Sequence, residues 1–178
     1  MTYAPIIVTV YHRYAMFRRC IEALQQCLLA RDSEIYIVSD AASTPEHEVA
    51  VQHVRDYART VTGFKAVNLI FRAKNLGSYL SVNRAIDDVL ETHDRFIFLE
   101  DDIVVAPGFL QYLNDGLEFH QKDQRVFAIC ACKPIMRIPH GYHADVFAVE
   151  NFSPWGFAMW RDRRRSVNLQ AYDRTLEL

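Results

Sequence analysis

Short apolar runs alternate along this chain with stretches whose apolar residues recur every three or four positions. Ile6-Ile7-Val8-Thr9-Val10 is short, β-branched and continuous, the pattern of a buried strand. Phe17, Cys20, Ile21, Leu24, Cys27 and Leu28 then follow the helical period. Ile35-Tyr36-Ile37-Val38 predicts a second strand, and a helix is expected from about Pro45, with Thr44 as N-cap. Val67 to Phe71 predicts a third strand, and Tyr79, Val82, Ile86, Val89 and Leu90 a helix after it. Phe96 to Leu99 predicts a fourth strand. Pro107-Gly108 opens a helix carried by Phe109, Leu113, Gly116 and Leu117, and Val126 to Cys130 predicts a fifth strand. Past Lys133 the alternation stops. Ile135 to Tyr142 reads as a loop, Val146 to Val149 as a short strand, and Trp155 to Trp160 as a crowded aromatic stretch. The run Arg161-Asp162-Arg163-Arg164-Arg165 reads as a solvated helix face, with a phosphate patch as the alternative.

Alternating strands and helices imply an α/β fold: a mostly parallel central sheet with helices on both faces, joined by right-handed crossovers. Such sheets bind ligands beyond the carboxyl ends of their strands. The five predicted ends are Tyr11-His12-Arg13, Ser39-Asp40, Arg72 to Gly77, Glu100-Asp101-Asp102 and Ala131 to Pro134. All carry polar or charged residues, and a parallel sheet would gather them on one rim.

Glu100-Asp101-Asp102 is the sharpest feature. Three adjacent carboxylates repel, so each resists ionising. A hard divalent cation, Mg²⁺ or Mn²⁺, relieves that cost and is commonly held by one or two carboxylates plus substrate phosphates. The plain structural reading is an acidic turn capping the next helix. Asp40 suits a base or ribose contact, or equally an N-cap before Ala41-Ala42-Ser43. Tyr11 could stack on a base or simply line the rim. Arg13, Arg72 and Lys74 could neutralise a diphosphate or lie solvated. Asn75-Leu76-Gly77 opens a helix whose first amides could meet phosphate.

Composition narrows the partners. The 178 residues suit one domain, 51% hydrophobic and 24% charged, with a net charge of −2. That balance argues against nucleic acid, which needs clustered excess cations. Cys20, Cys27, Cys130 and Cys132 lack zinc-finger spacing and read as buried free thiols, as expected of a cytoplasmic chain. The N-terminal residues carry no basic segment or cleavage site of a signal peptide, and no apolar run reaches the roughly 18 residues of a membrane span. His140 and His143 read as loop histidines. No Gly-x-Gly-x-x-Gly, no P-loop and no Gly-x-Ser-x-Gly elbow is present.

The order of apolar strand, Tyr11-His12-Arg13, Ser39-Asp40, Arg72 to Gly77 and Glu100-Asp101-Asp102 resembles the nucleotide-sugar-binding half of Rossmann-like GT-A glycosyltransferases. The triplet followed by Ile-Val-Val-Ala-Pro-Gly-Phe looks like the Glu-Asp-Asp segment of N-acetylglucosaminyltransferase I and related inverting enzymes. Asn151 to Trp160 is similar to the aromatic Trp-Gly segment of bacterial family-two-like members. The resemblance implies one GT-A-like domain over 1–178, with the donor-binding half over 1–133 and the start of an acceptor-side region over 134–178. It implies Thr9, Tyr11 and Arg13 around the nucleoside, Asp40 on the base, and Arg72 and Asn75 toward the donor. Glu100 and Asp101 would meet ribose or water, and Asp102 would bind Mn²⁺ or Mg²⁺. The donor would be a UDP-sugar and the acceptor a glycan or lipid-linked hydroxyl, reached from the cytoplasm or from a position peripheral to the membrane. Glu100 and Asp102 stand where the family more often has Asp-x-Asp. Inversion needs a carboxylate base. Only Asp162, Asp173 and Glu177 follow the aromatic segment, and none is assigned. A complete enzyme of this type would usually be longer, so a truncated chain is one expectation.

Two competing readings remain. A receiver-like regulatory domain would explain Lys133-Pro134 but wants an acidic pair where Tyr11-His12-Arg13 stands. A nucleotidyltransferase wants a Gly-rich loop after the first strand, and none is present.

Overall fold

A computed structural model describes residues 2–133, 137, 138 and 140–167. Its strands are β1 (Ile6–Val10), β2 (Glu34–Ser39), β3 (Ala66–Phe71), β4 (Arg95–Glu100), β5 (Ile129–Cys130) and β6 (Phe157–Trp160). The helices are α1 (Tyr14–Gln25), α2 (Glu48–Ala58), α3 (Gly77–Leu90), α4 (Phe109–His120) and α5 (Arg161–Arg165). They enclose one six-stranded sheet in the order β3-β2-β1-β4-β6-β5. β1 to β4 are mutually parallel, β6 runs antiparallel to β4, and β5 runs antiparallel to β6.

The period-two alternation of buried strands divides the core. Ile6, Val8, Val10, Ile35, Ile37, Ile97 and Leu99 pack with Phe17, Ile21, Leu24, Val54, Leu110 and Leu113, from α1, α2 and α4. Ile7, Val38, Phe96 and Phe98 face the other way, against Ala85, Ile86 and Val89 of α3. The fold class expected from the sequence is therefore the one observed. The order also excludes the receiver arrangement, in which β1 lies between β2 and β3. Here β1 lies between β2 and β4, and the chain reverses its direction of travel there.

Several boundaries differ from the sequence expectation. α1 ends at Gln25, because the chain turns to donate the Leu28 amide to the Pro107 carbonyl at 3.2 Å. Leu28 is consequently exposed, while Cys27 stays buried beyond the helix. A 3₁₀ turn over Pro45–His47 precedes α2, and Thr44 makes no side-chain cap. The fifth strand shortens to two residues and pairs antiparallel with β6. Val146 to Val149 forms no strand. The aromatic stretch supplies β6, whose four residues are all buried.

The arginine run is no solvated face throughout. Arg163 and Arg164 are buried. Arg163 lies over the Trp160 ring and donates to the Gln121 carbonyl at 2.8 Å. Arg164 meets Asn83 at 2.9 Å and Asp87 at 3.1 Å.

Candidate active site

The point where strand order reverses puts the ends of β1 and β4 side by side. Thr9 sits opposite Glu100 in the ladder, and Arg13 follows immediately, just before α1. β4 ends at Glu100, so Asp101 and Asp102 turn away from the strand. Asp101 is buried, whereas the Asp102 side chain keeps 40% of its exposure. Arg13 spans both. Its Nη2 and Nε donate to Asp101, and its Nη1 donates to Asp102 Oδ2 at 3.0 Å. The expected convergence of Thr9, Arg13, Glu100, Asp101 and Asp102 is thus physical.

Charge crowding shows in the titration directions. Partial desolvation, then the charges of Asp102 and Asp101, push the Glu100 carboxyl up although the residue is exposed at the strand end. Burial also pushes Asp101 up, against the pull of Arg13. The Asp101 hydrogen bond in turn holds the Arg13 guanidinium up. Beneath them Cys20 packs against the Glu100 carbonyl, and burial raises its thiol to about 12.

No group of three metal-ligating side chains occurs among the described residues. Glu100 and Asp102 nonetheless offer hard oxygens in a crowded, under-neutralised cluster. That donor set fits a divalent cation completed by phosphate and water, as Mg²⁺-type sites commonly are.

The ends of β2 and β3 form a second cluster. Asp40 is 5% exposed. Its carboxylate accepts the Ala41 amide at 2.9 Å, the Leu76 amide at 3.0 and 3.1 Å, and the Gly77 amide at 3.0 Å. Asp40 therefore caps α3 from across the sheet, where its charge also suits the helix N-terminus. Gly77 opens that helix at a positive φ of 76°, a backbone that other residues adopt at a cost. Asn75 donates to the Ala41 carbonyl at 2.7 Å, closing the same loop. Arg72 points along α3 and pairs with Asp88 at 2.8 Å, away from the acidic triplet.

Tyr11 stands between the clusters. Its hydroxyl lies 2.8 Å from both Ser43 Oγ and His47 Nδ1. The His12 ring stacks on His47 with centroids 4.7 Å apart. Sequence reasoning missed His47, Ser43 and Arg55. Arg55 donates to the carbonyls of Ser39, Asp40 and Arg72, tying the β2 and β3 ends together. Its signal was present in the sequence: Arg55 shares a helical face with Val51, Val54 and Ala58, an odd place for an unpaired cation.

The antiparallel β6 settles two further positions. Phe157 pairs with Phe98, so Asn151 to Gly156 arrives at the acidic rim, bringing the exposed Trp155 and Phe152. Trp160 pairs with Arg95, so Asp162 lies beyond the opposite edge of the sheet. It is bound there by Arg163 and Gln124, and topology removes it from the candidates for a base. Asp173, Glu177 and Pro134 fall outside the described residues. Lys133 follows β5, two strands away from β4.

The family model described as "Glycosyl transferase family 2" matches residues 6–168. No curated protein matches the chain significantly. Solved structures share the fold. The mannosyltransferase PcManGT of Pyrobaculum calidifontis, in complex with GDP-Man and Mn²⁺, superposes with a TM-score of 0.54 at 23% identity, covering 75% of this chain and 37% of its own. The glycosyltransferase GlyE of Streptococcus pneumoniae gives 0.50 at 14% identity, covering 99% of this chain and 39% of its own. A 4-diphosphocytidyl-2C-methyl-D-erythritol synthase gives 0.50 at 11% identity over 100% of this chain and 86% of its own. The chain thus spans well under half the length of the two glycosyltransferases.

Proposed function

The chain belongs to glycosyl transferase family 2, and from that premise we propose that it binds a nucleotide-sugar donor, a UDP-sugar in the first instance, at the β1–β4 crevice. It passes the sugar, with inversion, to a hydroxyl of a glycan or lipid-linked acceptor. The observation that carries this reading is the Glu100-Asp101-Asp102 triplet at the strand-order reversal, faced by Arg13. The complex of PcManGT with GDP-Man and Mn²⁺ supports the donor class.

In this reading Thr9 and Tyr11 border the nucleoside. Asp40 borders it too, and its carboxylate, filled by backbone donors, shapes the pocket by fixing Leu76 and Gly77. Asn75 holds the same loop, and Arg72 lines its outer edge. Asp102, with Glu100 beside it, would hold Mn²⁺ or Mg²⁺. When bound, such an ion offsets charge on the departing nucleoside diphosphate as a Lewis acid. Asp101 stays in its ion pair with Arg13, anchoring the turn. Trp155 and Phe152 offer apolar surface to the acceptor side. No described residue is assigned as base.

Among the described residues no helix is long and apolar enough to cross a membrane. The cysteines are free thiols, as suits a reducing, cytoplasmic setting, but only Cys20 and Cys27 are buried as expected, while Cys130 and Cys132 are half-buried.

Thermal unfolding with UDP, GDP or CDP, each with Mn²⁺ and against Mn²⁺ alone, tests the donor. A ligand at about 100 times its Kd adds roughly 2.7 kcal/mol, or about 5–10 °C in Tm for a chain of this size. Absence of a shift with every nucleoside diphosphate would refute the reading.

A further inference from the structure

Arg13 occupies the acidic cluster that the proposed donor reading assigns to a cation, and this contact has a consequence of its own. Three of its N–H groups are spent on two carboxylates. The carboxylates differ in kind. Asp101 is buried and held fast, with a side chain only 4% exposed. The Asp102 side chain is 40% exposed, and its Oδ2 accepts from Arg13 Nη1 at 3.0 Å. The Arg13 side chain is itself 48% exposed, so its outer nitrogen can swing away without opening a hole in the core.

We propose that Arg13 is a positioning residue that stands in for the cation and makes cation and donor bind together. This rests on the glycosyl-donor reading for the second ligand, but the first half concerns the cation alone. A divalent ion approaching Asp102 meets a guanidinium already bonded to the oxygen it needs, and the two positive charges repel at close range. The free ion therefore binds weakly. A nucleoside diphosphate brings acceptor oxygens and negative charge to the same crevice. Arg13 Nη1 then turns from Asp102 to phosphate, for which a guanidinium fork is well suited. Asp102 Oδ2 is released to the ion at that moment. Each ligand raises the affinity of the other by the same factor, because the coupling is reciprocal.

The alternative is that Arg13 only neutralises buried Asp101. The two roles separate by measuring free Mn²⁺ through its electron paramagnetic resonance signal, with and without UDP, in the unsubstituted protein, Arg13→Gln and Arg13→Lys. Arg13→Lys keeps a cation beside Asp101 but lacks the fork that reaches both carboxylates, which guards against loss of fold. Circular dichroism establishes that each variant is folded. The proposal expects both variants to bind Mn²⁺ alone at least tenfold tighter than the unsubstituted protein. It also expects the factor by which UDP enhances Mn²⁺ binding to shrink by a similar amount. A folded Arg13→Lys protein that binds Mn²⁺ alone no tighter than the unsubstituted one overturns it. If Arg13→Lys tightens Mn²⁺ binding while UDP changes nothing in any form, Arg13 does cover the cation position and it is the donor reading that falls.

Discussion

Asp40→Asn separates a carboxylate that builds the site from one that reads a base. The Asp40 side chain is 5% exposed, and both of its oxygens are taken by the amides of Ala41, Leu76 and Gly77. Asn keeps one carbonyl oxygen and places an NH₂ where the other oxygen was. The N–H of Gly77 or of Ala41, each of which reaches one oxygen, then faces a donor, while Leu76 reaches both oxygens and keeps an acceptor. A hydrogen bond to a charged acceptor contributes about 1.5–3 kcal/mol, and the low end applies because the Gly77 and Ala41 amides are only partly buried. Losing the negative charge at the N-terminus of α3 adds about 0.3–1 kcal/mol. The expected loss is about 2 kcal/mol, read as a lower urea midpoint at unchanged slope. A loss below about 0.5 kcal/mol, the range of a neutral surface change, would refute the capping argument. If that small loss came with markedly weaker UDP binding, the carboxylate would be reading the base instead.

Other outcomes follow from the same geometry. Cys20, with its thiol raised to about 12, has a thiolate fraction of ~10⁻⁴ at pH 8. A thiol reagent should leave it unlabelled in the native protein and modify it once the chain is unfolded in guanidinium, as peptide mass analysis would show. Glu100, exposed at the end of β4, is still pushed up by partial desolvation of its carboxyl and then by the charges of Asp102 and Asp101. A carboxyl raised in the folded state favours the fold when protonated and penalises it as pH rises through that raised value. Glu100→Gln should therefore raise Tm at pH 7, and the gain should disappear by about pH 4, near the unfolded value. A gain independent of pH would contradict this. Gly116 lies inside α4, where Ala normally gains about 0.5–1 kcal/mol. A Cβ there would stand 2.8 Å from Ile129 Cγ2, so overpacking at about 1–3 kcal/mol should win. Gly116→Ala is expected to destabilise in urea titration, and to become neutral or stabilising in an Ile129→Ala background.

The sequence carried the left half of the sheet because each element there announces itself locally. β1, β2 and β4 are continuous apolar runs, and α1 and α3 keep a strict helical spacing, so the polar residues just past them could be placed on one rim. β6 could not be read that way. Phe157-Ala158-Met159-Trp160 has no β-branched residue and no polar alternation, and only its antiparallel fit between β4 and β5 makes it a strand. The fate of Asp162 followed from that direction of travel, invisible in the letters. Asp40 looked like a local N-cap and is a cap at long range, for a helix starting 37 residues later. Arg163 and Arg164 looked solvated because their partners, Trp160, Gln121, Asn83 and Asp87, come from three different segments.

The central claim is that the acidic turn after β4 holds a cation against a nucleotide diphosphate. Calorimetric titration of UDP into the protein, with Mn²⁺ and without it, repeated on Asp102→Ala, addresses it most directly. The account predicts binding that strengthens at least tenfold with Mn²⁺ in the unsubstituted protein and shows no such gain in Asp102→Ala. Binding of equal strength with and without Mn²⁺, or a Mn²⁺ gain that survives the loss of Asp102, would contradict it.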